Sequence, residues 1–276
     1  MKKNKKVIIT LVICLIVVLL GAGIYVGHQA STSSAANNQP TKTRTIYPHK
    51  FTKIKVDVDT SDISVHQGTK YQVKIIDNQK NRINAKVKDD ELLVSQRERS
   101  HNHFFGISKI MINGKNLTAK CQVEITVPHK NSLTKINAET ETSKFKLDNL
   151  QLHKLAIDSD TGDIDLKNVK SVSNDLSTDT GDIEITTSQV ANVTSDVDTG
   201  DVHISSSQLS GNNSFSLDTG DFSLDEASKK MTYHLSVDTG DIDYFGDDVD
   251  DHLNKKVAHS KAVLKVDSST GDITIE

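Results

Sequence analysis

The sequence predicts an all-β protein whose main part is a β-solenoid, a β-helix-like stack of coils of 19–20 residues each. We expect a small β meander domain and an N-terminal transmembrane helix before the coils. Three observations support this prediction: a Thr-Gly-Asp tripeptide that recurs six times, an alternation of polar and apolar residues around it, and an uncharged apolar run near the amino terminus. Recurrence at so short a period is typical of stacked repeats rather than of one globular core.

The recurring tripeptide predicts one tight corner in every coil. Consecutive glycines lie 19, 19, 20, 20 and 31 residues apart along the chain. Glycine adopts backbone conformations that other residues resist, and aspartate side chains often bond to backbone groups in turns. The six corner glycines are Gly162, Gly181, Gly200, Gly220, Gly240 and Gly271.

The residues around each corner predict short strands with one buried face. Apolar residues such as Ile157 stand five positions before the glycine, and residues such as Ile164 and Leu166 stand two and four positions after it. This alternation has a period of two and shows no 3.6-residue helical period. Two weaker copies have serine for glycine, at Ser61 and Ser143. We expect the array to start at Ser143 and Ser61 to lie in a preceding domain.

A β meander is predicted ahead of the coils. Five segments there alternate polar and apolar residues, and Pro128 closes the last of them. These segments are Lys53–Val58, Tyr71–Ile76, Ile83–Val87, Leu92–Ser95 and Gln122–Val127. The chain has two cysteines, and because Cys14 lies in the apolar run we expect no disulfide and a buried Cys121.

The amino terminus predicts where the protein is located. Residues 7–26 carry no charge and are rich in Val, Ile and Leu, which matches the ~20 residues that cross a bilayer. The lysines of residues 1–6 form a basic tail that stays in the cytoplasm, so we expect a single-pass cell-membrane anchor with an extracellular C-terminal part. A cleaved signal peptide is the alternative interpretation. Residues 27–45, rich in Ser, Thr, Asn and Gln, predict a flexible linker.

Charge divides the rest of the chain into a basic β domain, residues 46–130, and an acidic solenoid, residues 131–276. From residue 131 onward there are 28 acidic and 12 basic residues, a net charge of −16. The basic part could dock on an anionic envelope polymer or on lipid headgroups, and the acidic part could bind cations. Ordinary solvated β faces are the alternative. We expect no nucleic-acid partner, because no platform of aromatic and basic residues is present.

The aspartates of the corners are the candidate site. If the coils stack in register, the aspartate two residues before the glycine forms one row and the aspartate after it forms a second. Each carboxylate either accepts backbone N–H bonds at its own corner or shares a Ca²⁺ ion with the next coil. We prefer the first interpretation, because the glycine-rich nonapeptide of calcium-binding solenoids is absent from the sequence. The candidate metal ligands are Asp160, Asp163, Asp179, Asp182, Asp198, Asp201, Asp218, Asp221, Asp238 and Asp241.

The order of these features resembles a known family. The segment Val-Glu-Ile-Thr-Val-Pro at residues 123–128, followed by Thr-Gly-Asp-Ile coils behind a single membrane span, is similar to the bacterial β-strand-repeat family of candidate adhesins. That family includes LiaG-like membrane-anchored proteins of envelope-stress operons. The resemblance covers residues 46–276 and implies a membrane-tethered ectodomain without a defined catalytic site, so it transfers no catalytic residues.

These observations favour a non-enzymatic binding or scaffold protein of the bacterial cell envelope, with an envelope polymer or envelope protein as its partner. A polysaccharide-acting β-helix enzyme is one alternative, but the loops between coils are short and bring no acids and bases together. A Ca²⁺-dependent structural solenoid is another, and Ca²⁺ is the one cofactor we consider. An ice-binding or mineral-binding threonine column, Thr161 to Thr270, is a third; its alternation with buried positions argues against an outward-facing column.

The carboxy-terminal coil predicts a contact as well. The sequence stops at Glu276 directly after a corner, whereas stacked arrays need their last edge covered. We therefore expect this coil either to pair with another chain, which would give self-association, or to be covered by residues 247–258.

Overall fold

The computed structural model describes residues 42–77, 82–97 and 121–276. The predicted membrane span and most of the predicted linker lie outside these ranges, and in the described ranges no helix is long and apolar enough to cross a membrane. The described residues belong to one compact unit. Its 24 strands are β1 (Lys42–Ile46), β2 (Lys53–Val58), β3 (Ser61–Gln67), β4 (Gln72–Asp77), β5 (Arg82–Lys88), β6 (Glu91–Arg97), β7 (Cys121–Val127), β8 (Lys135–Thr142), β9 (Phe145–Gln151), β10 (Lys154–Thr161), β11 (Ile164–Ser171), β12 (Ser173–Thr180), β13 (Ile183–Thr186), β14 (Gln189–Ala191), β15 (Val193–Thr199), β16 (Val202–Ser205), β17 (Gln208–Thr219), β18 (Phe222–Leu224), β19 (Thr232–Thr239), β20 (Ile242–Tyr244), β21 (Asp247–Val249), β22 (His252–Lys255), β23 (Ala262–Thr270) and β24 (Ile273–Ile275).

Each regular coil has three faces. In the coil that contains β10 and β11, β10 runs in a first sheet to the Asp-Thr-Gly-Asp corner, and β11 then continues in a second sheet. Asn168, with a φ of 52°, turns the chain again, because asparagine tolerates the left-handed conformation better than most residues. Residues 169–171 then form a short third face, which β14 and the start of β17 extend in the next two coils.

The coils stack in register as parallel strands. Ile157 pairs with Leu176 in the first sheet, and Ile164 pairs with Ile183 in the second. All four side chains are at most 2 % exposed, so each coil buries its apolar residues against its neighbours. The predicted solenoid and its alternation, at odd positions before the glycine and even positions after it, are confirmed. The strand order is β5-β6-β2-β8-β10-β12-β15-β17-β23-β19-β22 in the first sheet and β1-β4-β7-β3-β9-β11-β13-β16-β18-β24-β20-β21 in the second.

The stack begins earlier than the sequence suggested. Ser61 donates its N–H to Ser143 Oγ at 3.2 Å, and β3 pairs in parallel with β9. Ser61, which we expected in a preceding domain, is therefore a direct neighbour of Ser143 in the stack, and the array does not start at Ser143. After the coil of β2 and β3 the chain forms strands β4–β7 and then returns in β8 and β9 to form the neighbouring coil. The corners of these two touching coils, Ser61 and Ser143, are 82 residues apart in sequence.

The five segments predicted as a meander are strands β2, β4, β5, β6 and β7, but among these described strands only β5 and β6 pair as consecutive antiparallel strands. β2 lies between β6 and β8, parallel to both, and β3 lies between β7 and β9, parallel to both. Antiparallel pairs join β5 to β6, β4 to β7 and β1 to β4. The coil of β2 and β3 is thus one layer inside the stack, with these strands covering it. Cys121 is buried at the start of β7, as expected.

The opposite end is interleaved in the same way. β23 lies between β17 and β19, and β24 lies between β18 and β20. The prediction that the carboxy-terminal coil is the open end is wrong, because that coil is the second layer from the end. Residues 247–255 do cover an edge, but it is the edge of β19 and β20, where β22 and β21 pair antiparallel. Such pairing blocks further strand addition to these two strands.

Candidate functional site

Each corner glycine lies directly against the backbone of a neighbouring coil. The six corner glycines have φ values between 140° and 150°. A Cβ on Gly220 would lie 1.9 Å from the carbonyl oxygen of Gly200, so no side chain fits. The Gly220 N–H donates to the carbonyl oxygen of Thr270 at 2.9 Å. Glycine recurs in the sequence because the spacing of the coils requires it.

The aspartate after each glycine belongs to a hydrogen-bonded column, which we call the corner row. The Asp201 N–H donates to Asp182 Oδ1 at 2.9 Å, and the Asp221 N–H donates to Asp201 Oδ1 at 2.8 Å. The predicted acceptor role of these carboxylates is found, but the N–H comes from the next coil rather than from the same corner. In spatial order the row is Asp163, Asp182, Asp201, Asp221, Asp272 and Asp241.

A lysine stands at the start of the corner row. Lys144 follows the serine corner, and its Nζ lies 3.0 Å from Asp163 Oδ2. Partial burial alone would raise the pKa of the Asp163 carboxyl, but the hydrogen bonds from Lys144 Nζ and from the Asp182 N–H outweigh burial and lower that pKa. The bond to Asp163 in turn raises the pKa of Lys144. The first carboxylate of the row is therefore stabilised in its ionised form.

The aspartate two residues before each glycine forms a second column, which we call the strand-end row. Its five carboxylates are exposed, and within the described residues they accept no hydrogen bond and form no ion pair. Reduced hydration and the charges of Asp179 and Asp218 raise the pKa of Asp198. The row consists of Asp160, Asp179, Asp198, Asp218 and Asp238, with Ser269 of the inserted coil between the last two.

The strand-end row belongs to a larger acidic face on the first sheet. Two residues earlier in the strands, Glu139, Asp158 and Asp196 lie on the same side of the sheet. Partial burial and then the charges of Asp160 and Asp179 raise the pKa of Asp158. Like charges on neighbouring strands ~4.8 Å apart repel each other, and solvent screens this repulsion at the exposed carboxylates. This face therefore holds negative charge that a cation would neutralise.

These coils and corners match a known domain family over most of the chain. The family described as Toastrack DUF4097 matches residues 51–276. The chain belongs to this family. The Toastrack match begins before β2, so it includes the interleaved strands at the start of the stack as well as the Thr-Gly-Asp coils. No curated protein matches the sequence.

Several solved structures are similar to this Toastrack chain at low sequence identity. A candidate adhesin from Bacteroides fragilis NCTC 9343 is 15 % identical, with a TM-score of 0.47 and coverage of 88 % of this chain and 100 % of that one. A candidate cell adhesion protein from Clostridium sporogenes ATCC 15579 is 18 % identical, with a TM-score of 0.39 and coverage of 86 % and 98 %. A candidate lipid binding protein from Parabacteroides distasonis ATCC 8503 is 11 % identical, with a TM-score of 0.36 and coverage of 86 % and 95 %.

The Toastrack corners do not assemble a recognisable metal centre. Among the residues that the structure describes, no three His, Cys, Asp or Glu side chains are grouped so that they could hold a metal ion. Five of the six corner-row carboxylates already accept a backbone N–H bond, all but that of Asp241 at the end of the row, and the strand-end carboxylates form a single column. The Ca²⁺ site stays a prediction. Of its candidate ligands, the carboxylates of the strand-end row are the ones whose oxygens accept no hydrogen bond among the described residues.

The threonine column faces outward, contrary to our expectation. Thr161 and Thr180 are neighbours in register, and both are exposed, as are the aspartates that precede them. The strict alternation of buried and exposed residues ends one residue before the glycine, because the chain is already turning there. The column forms the border of the acidic face.

Sequence reasoning missed the second corner of each coil. Asn149 and Asn168 both have a left-handed backbone, with φ values of 54° and 52°. Asn168 Nδ2 donates to Asn149 Oδ1 at 3.0 Å, and Asn149 Nδ2 donates to Gln67 Oε1 at 2.7 Å. The signal was present in the sequence, since the two asparagines are separated by the same 19 residues as the glycines.

Proposed function

We propose that this protein is a membrane-anchored, extracytoplasmic binding and scaffold protein of the bacterial cell envelope, and that its acidic first-sheet face is the contact surface. The observation that carries the proposal is the strand-end row, whose exposed carboxylates have no compensating partner among the described residues. A cationic partner would remove the repulsion within this row. The apolar residues 7–26 would hold the stack close to the outer surface of the membrane.

The stack suits a repetitive partner. The corner row and the glycine contacts fix neighbouring coils at the spacing of hydrogen-bonded strands, about 4.8 Å. The carboxylates therefore form a preorganised column, and a cationic chain with several charges could contact several of them at once. Such multivalent binding raises avidity without any single strong site.

The proposal is one of binding rather than catalysis. An acid and base pair requires two carboxylates with separated pKa values on either side of one bound substrate. The strand-end carboxylates instead repeat in equivalent surroundings on an open face. Incubation of residues 42–276 with purified envelope glycans tests this point: retention without new reducing ends is expected, and cleavage would establish the enzyme alternative.

The binding surface can be tested with pentalysine as the cationic probe. We expect the Asp179→Asn/Asp198→Asn double variant to bind fluorescent pentalysine several-fold more weakly than the original chain at low salt. The matched control is Asp248→Asn/Asp250→Asn, which removes the same charge from the covering segment outside the acidic face. Equal weakening in both double variants would show that net charge, and not this face, determines binding.

A second candidate function is a Ca²⁺-stabilised scaffold. The raised pKa values of Asp158 and Asp198 favour it, because a bound cation would offset the repulsion that raises them. Thermal unfolding in millimolar CaCl₂ and in chelator tests it. The melting temperature should rise with Ca²⁺, and the rise should shrink in Asp179→Asn/Asp198→Asn; the same melting temperature in Ca²⁺ and in chelator would reject this candidate.

A further inference from the structure

A groove opens on the third face of the stack, away from the acidic face. Its volume is about 870 Å³, and one wall is formed by Ser207–Ser210 at the start of β17. The opposite wall consists of two loops, residues 226–231 and 257–261, that are bonded to each other. Ser260 Oγ donates to the carbonyl oxygen of Lys230 at 3.0 Å, and the Val257 N–H donates at 3.1 Å to Oγ1 of Thr232, the residue that follows the first loop. The groove is therefore preformed.

The first wall of the groove is the edge of a sheet. Residues 208–210 of β17 pair with β14, and no other described strand pairs with them, because β23 first meets β17 at Gly211. The Gln208 N–H donates to the carbonyl oxygen of Ser188, the residue before β14, and the Ser210 carbonyl oxygen accepts the N–H of Asn192, the residue after β14. In a parallel ladder the residue between them has its N–H and C=O on the opposite side. The Leu209 backbone groups are thus directed toward the groove.

This edge exists because the coils above it are interleaved. β18 leads through residues 225–231 to β19, two layers away, and residues 256–261 lead back to β23 in the layer between. Neither connection continues the short third face. A strand-shaped site is therefore left beside Leu209, where the regular repeat would place the next coil.

The lining combines apolar side chains with positive charge. Val172, at 50 % exposed one of two large hydrophobic side chains left exposed in the described residues, lines the groove together with Leu209 and Met231. Lys170, Lys230 and Lys261 also line it, against the single carboxylate of Glu226. This is the reverse of the charge balance of the solenoid as a whole, which is −16.

We propose that this groove binds an extended acidic peptide segment of a partner protein, which pairs with the edge of β17 at Leu209 as an added strand. The unpaired backbone edge provides main-chain hydrogen bonds, and alternate side chains of the ligand enter the apolar lining. Acidic side chains of the ligand meet the three lysines. The site is separate from the acidic face, so it adds a partner of opposite charge to the proposed function.

The test uses the purified full chain in detergent micelles and fluorescence anisotropy. The probe is a fluorescein-labelled acetyl-Glu-Val-Glu-Val-Glu-amide peptide, and its lysine counterpart, acetyl-Lys-Val-Lys-Val-Lys-amide, reports non-specific binding. We expect the acidic peptide to bind, with an affinity that falls as salt rises. Absence of saturable binding of the acidic peptide would overturn the proposal, and so would equal binding of the lysine peptide.

Two variants distinguish strand addition from other modes of binding. Leu209→Pro removes the N–H directed toward the groove and is tolerated at an edge whose N–H is unpaired; we expect binding to weaken at least about fivefold. Leu209→Ala, which keeps the N–H, is the matched control and should retain the larger part of the affinity for the peptide. Lys170→Gln/Lys261→Gln should also weaken binding, whereas Lys167→Gln, outside the groove, should not.

The competing explanation for peptide binding is that the groove is a site for anionic amphiphiles, and decanoate is the probe that tests it. If Leu209→Pro binds the peptide as well as the original chain does, and decanoate displaces the peptide, the groove is a site for anionic amphiphiles and strand addition is wrong. Melting curves of every variant show whether the fold is intact. The pentalysine assay on the same variants separates this result from the proposed function, because groove substitutions leave the acidic face unchanged.

Discussion

The corner row and the strand-end row lie three residues apart along the chain and differ in hydrogen bonding, and one carboxylate in each row has a pKa shifted in the opposite direction. In the corner row, a carboxylate such as that of Asp182 accepts the backbone N–H of the next coil, and the pKa of Asp163 is lowered. In the strand-end row, the pKa of Asp198 is raised by reduced hydration and its charged neighbours. The same residue type at the same period therefore stabilises the stack in one column and leaves charge available in the other.

The difference shows what separates a structural acidic repeat from a candidate binding surface. Periodicity is identical in the two rows, so it cannot distinguish them. The distinguishing feature is a donor: the corner carboxylate lies against an N–H that the glycine contact brings close, whereas the strand-end carboxylate has no donor among the described residues. Substitutions can remove, one at a time, the glycine contact, the acceptor carboxylate and the uncompensated charge.

The largest expected effect is loss of the glycine contact. Gly220→Ala places a Cβ 1.9 Å from the Gly200 carbonyl oxygen at a φ of 144°. We expect a loss of about 3 kcal/mol and a fall in melting temperature on the order of 10 °C. The control is Gly246→Ala, where φ is 82° and no atom lies within 4 Å of the added Cβ. A similar loss at both sites would show that backbone strain alone, and not the contact between coils, requires the corner glycine.

A smaller effect is expected from removing the acceptor. Asp201→Ala removes the carboxylate that accepts the Asp221 N–H, at a cost of about 1 kcal/mol in unfolding free energy. Asp201→Asn keeps an acceptor oxygen and should lose less. Asp198→Ala, three residues earlier, removes no hydrogen bond and should not lower the melting temperature. Chemical denaturation of the three variants measures these differences, and equal losses for Asp201→Ala and Asp198→Ala would remove the distinction between the rows.

The smallest expected effect is a pH-dependent gain from removing uncompensated charge. Because the folded-state pKa of Asp198 is raised above 3.8, its ionised form destabilises the fold at neutral pH, and this penalty disappears as the pH falls through that pKa. Asp198→Asn should therefore melt slightly higher than the original chain at pH 7 and no higher below pH 3.8. Asp163→Asn should do the reverse, melting lower at pH 7, with the gap closing as the pH falls below 3.8. A constant difference across pH would argue against an electrostatic cause.

The fold was largely readable from the sequence because its requirements are local. The glycines mark the contacts between coils, and Ile157 and Ile164 mark the buried face on each side of a corner. The two aspartate columns followed from the same register. Their difference in hydrogen bonding did not, since it depends on whether an N–H of another coil lies within reach of each carboxylate.

The order of the layers could not be read from the sequence. The order of the coils in space departs from their order in the chain at both ends of the stack. At one end β2 and β3 lie beneath β6 and β7, which come later in the chain. At the other end β23 and β24 lie beneath β19 and β20, which come earlier. Each coil carries the same corner, so its pattern fits any layer equally well. The one sequence sign is the 31-residue interval between Gly240 and Gly271. The groove beside Leu209 follows from this interleaving and was equally hidden.

The most direct test of the central claim is a ¹³C NMR titration of the aspartate carboxyl carbons in residues 42–276, with Asp163→Asn and Asp198→Asn used to assign the two signals. The account predicts that Asp163 titrates below 3.8 and that Asp198 titrates above it. If Asp163 titrated at or above the pH at which Asp198 does, the hydrogen bonds to Asp163 and the uncompensated charge at Asp198 would not explain the difference between these two carboxylates.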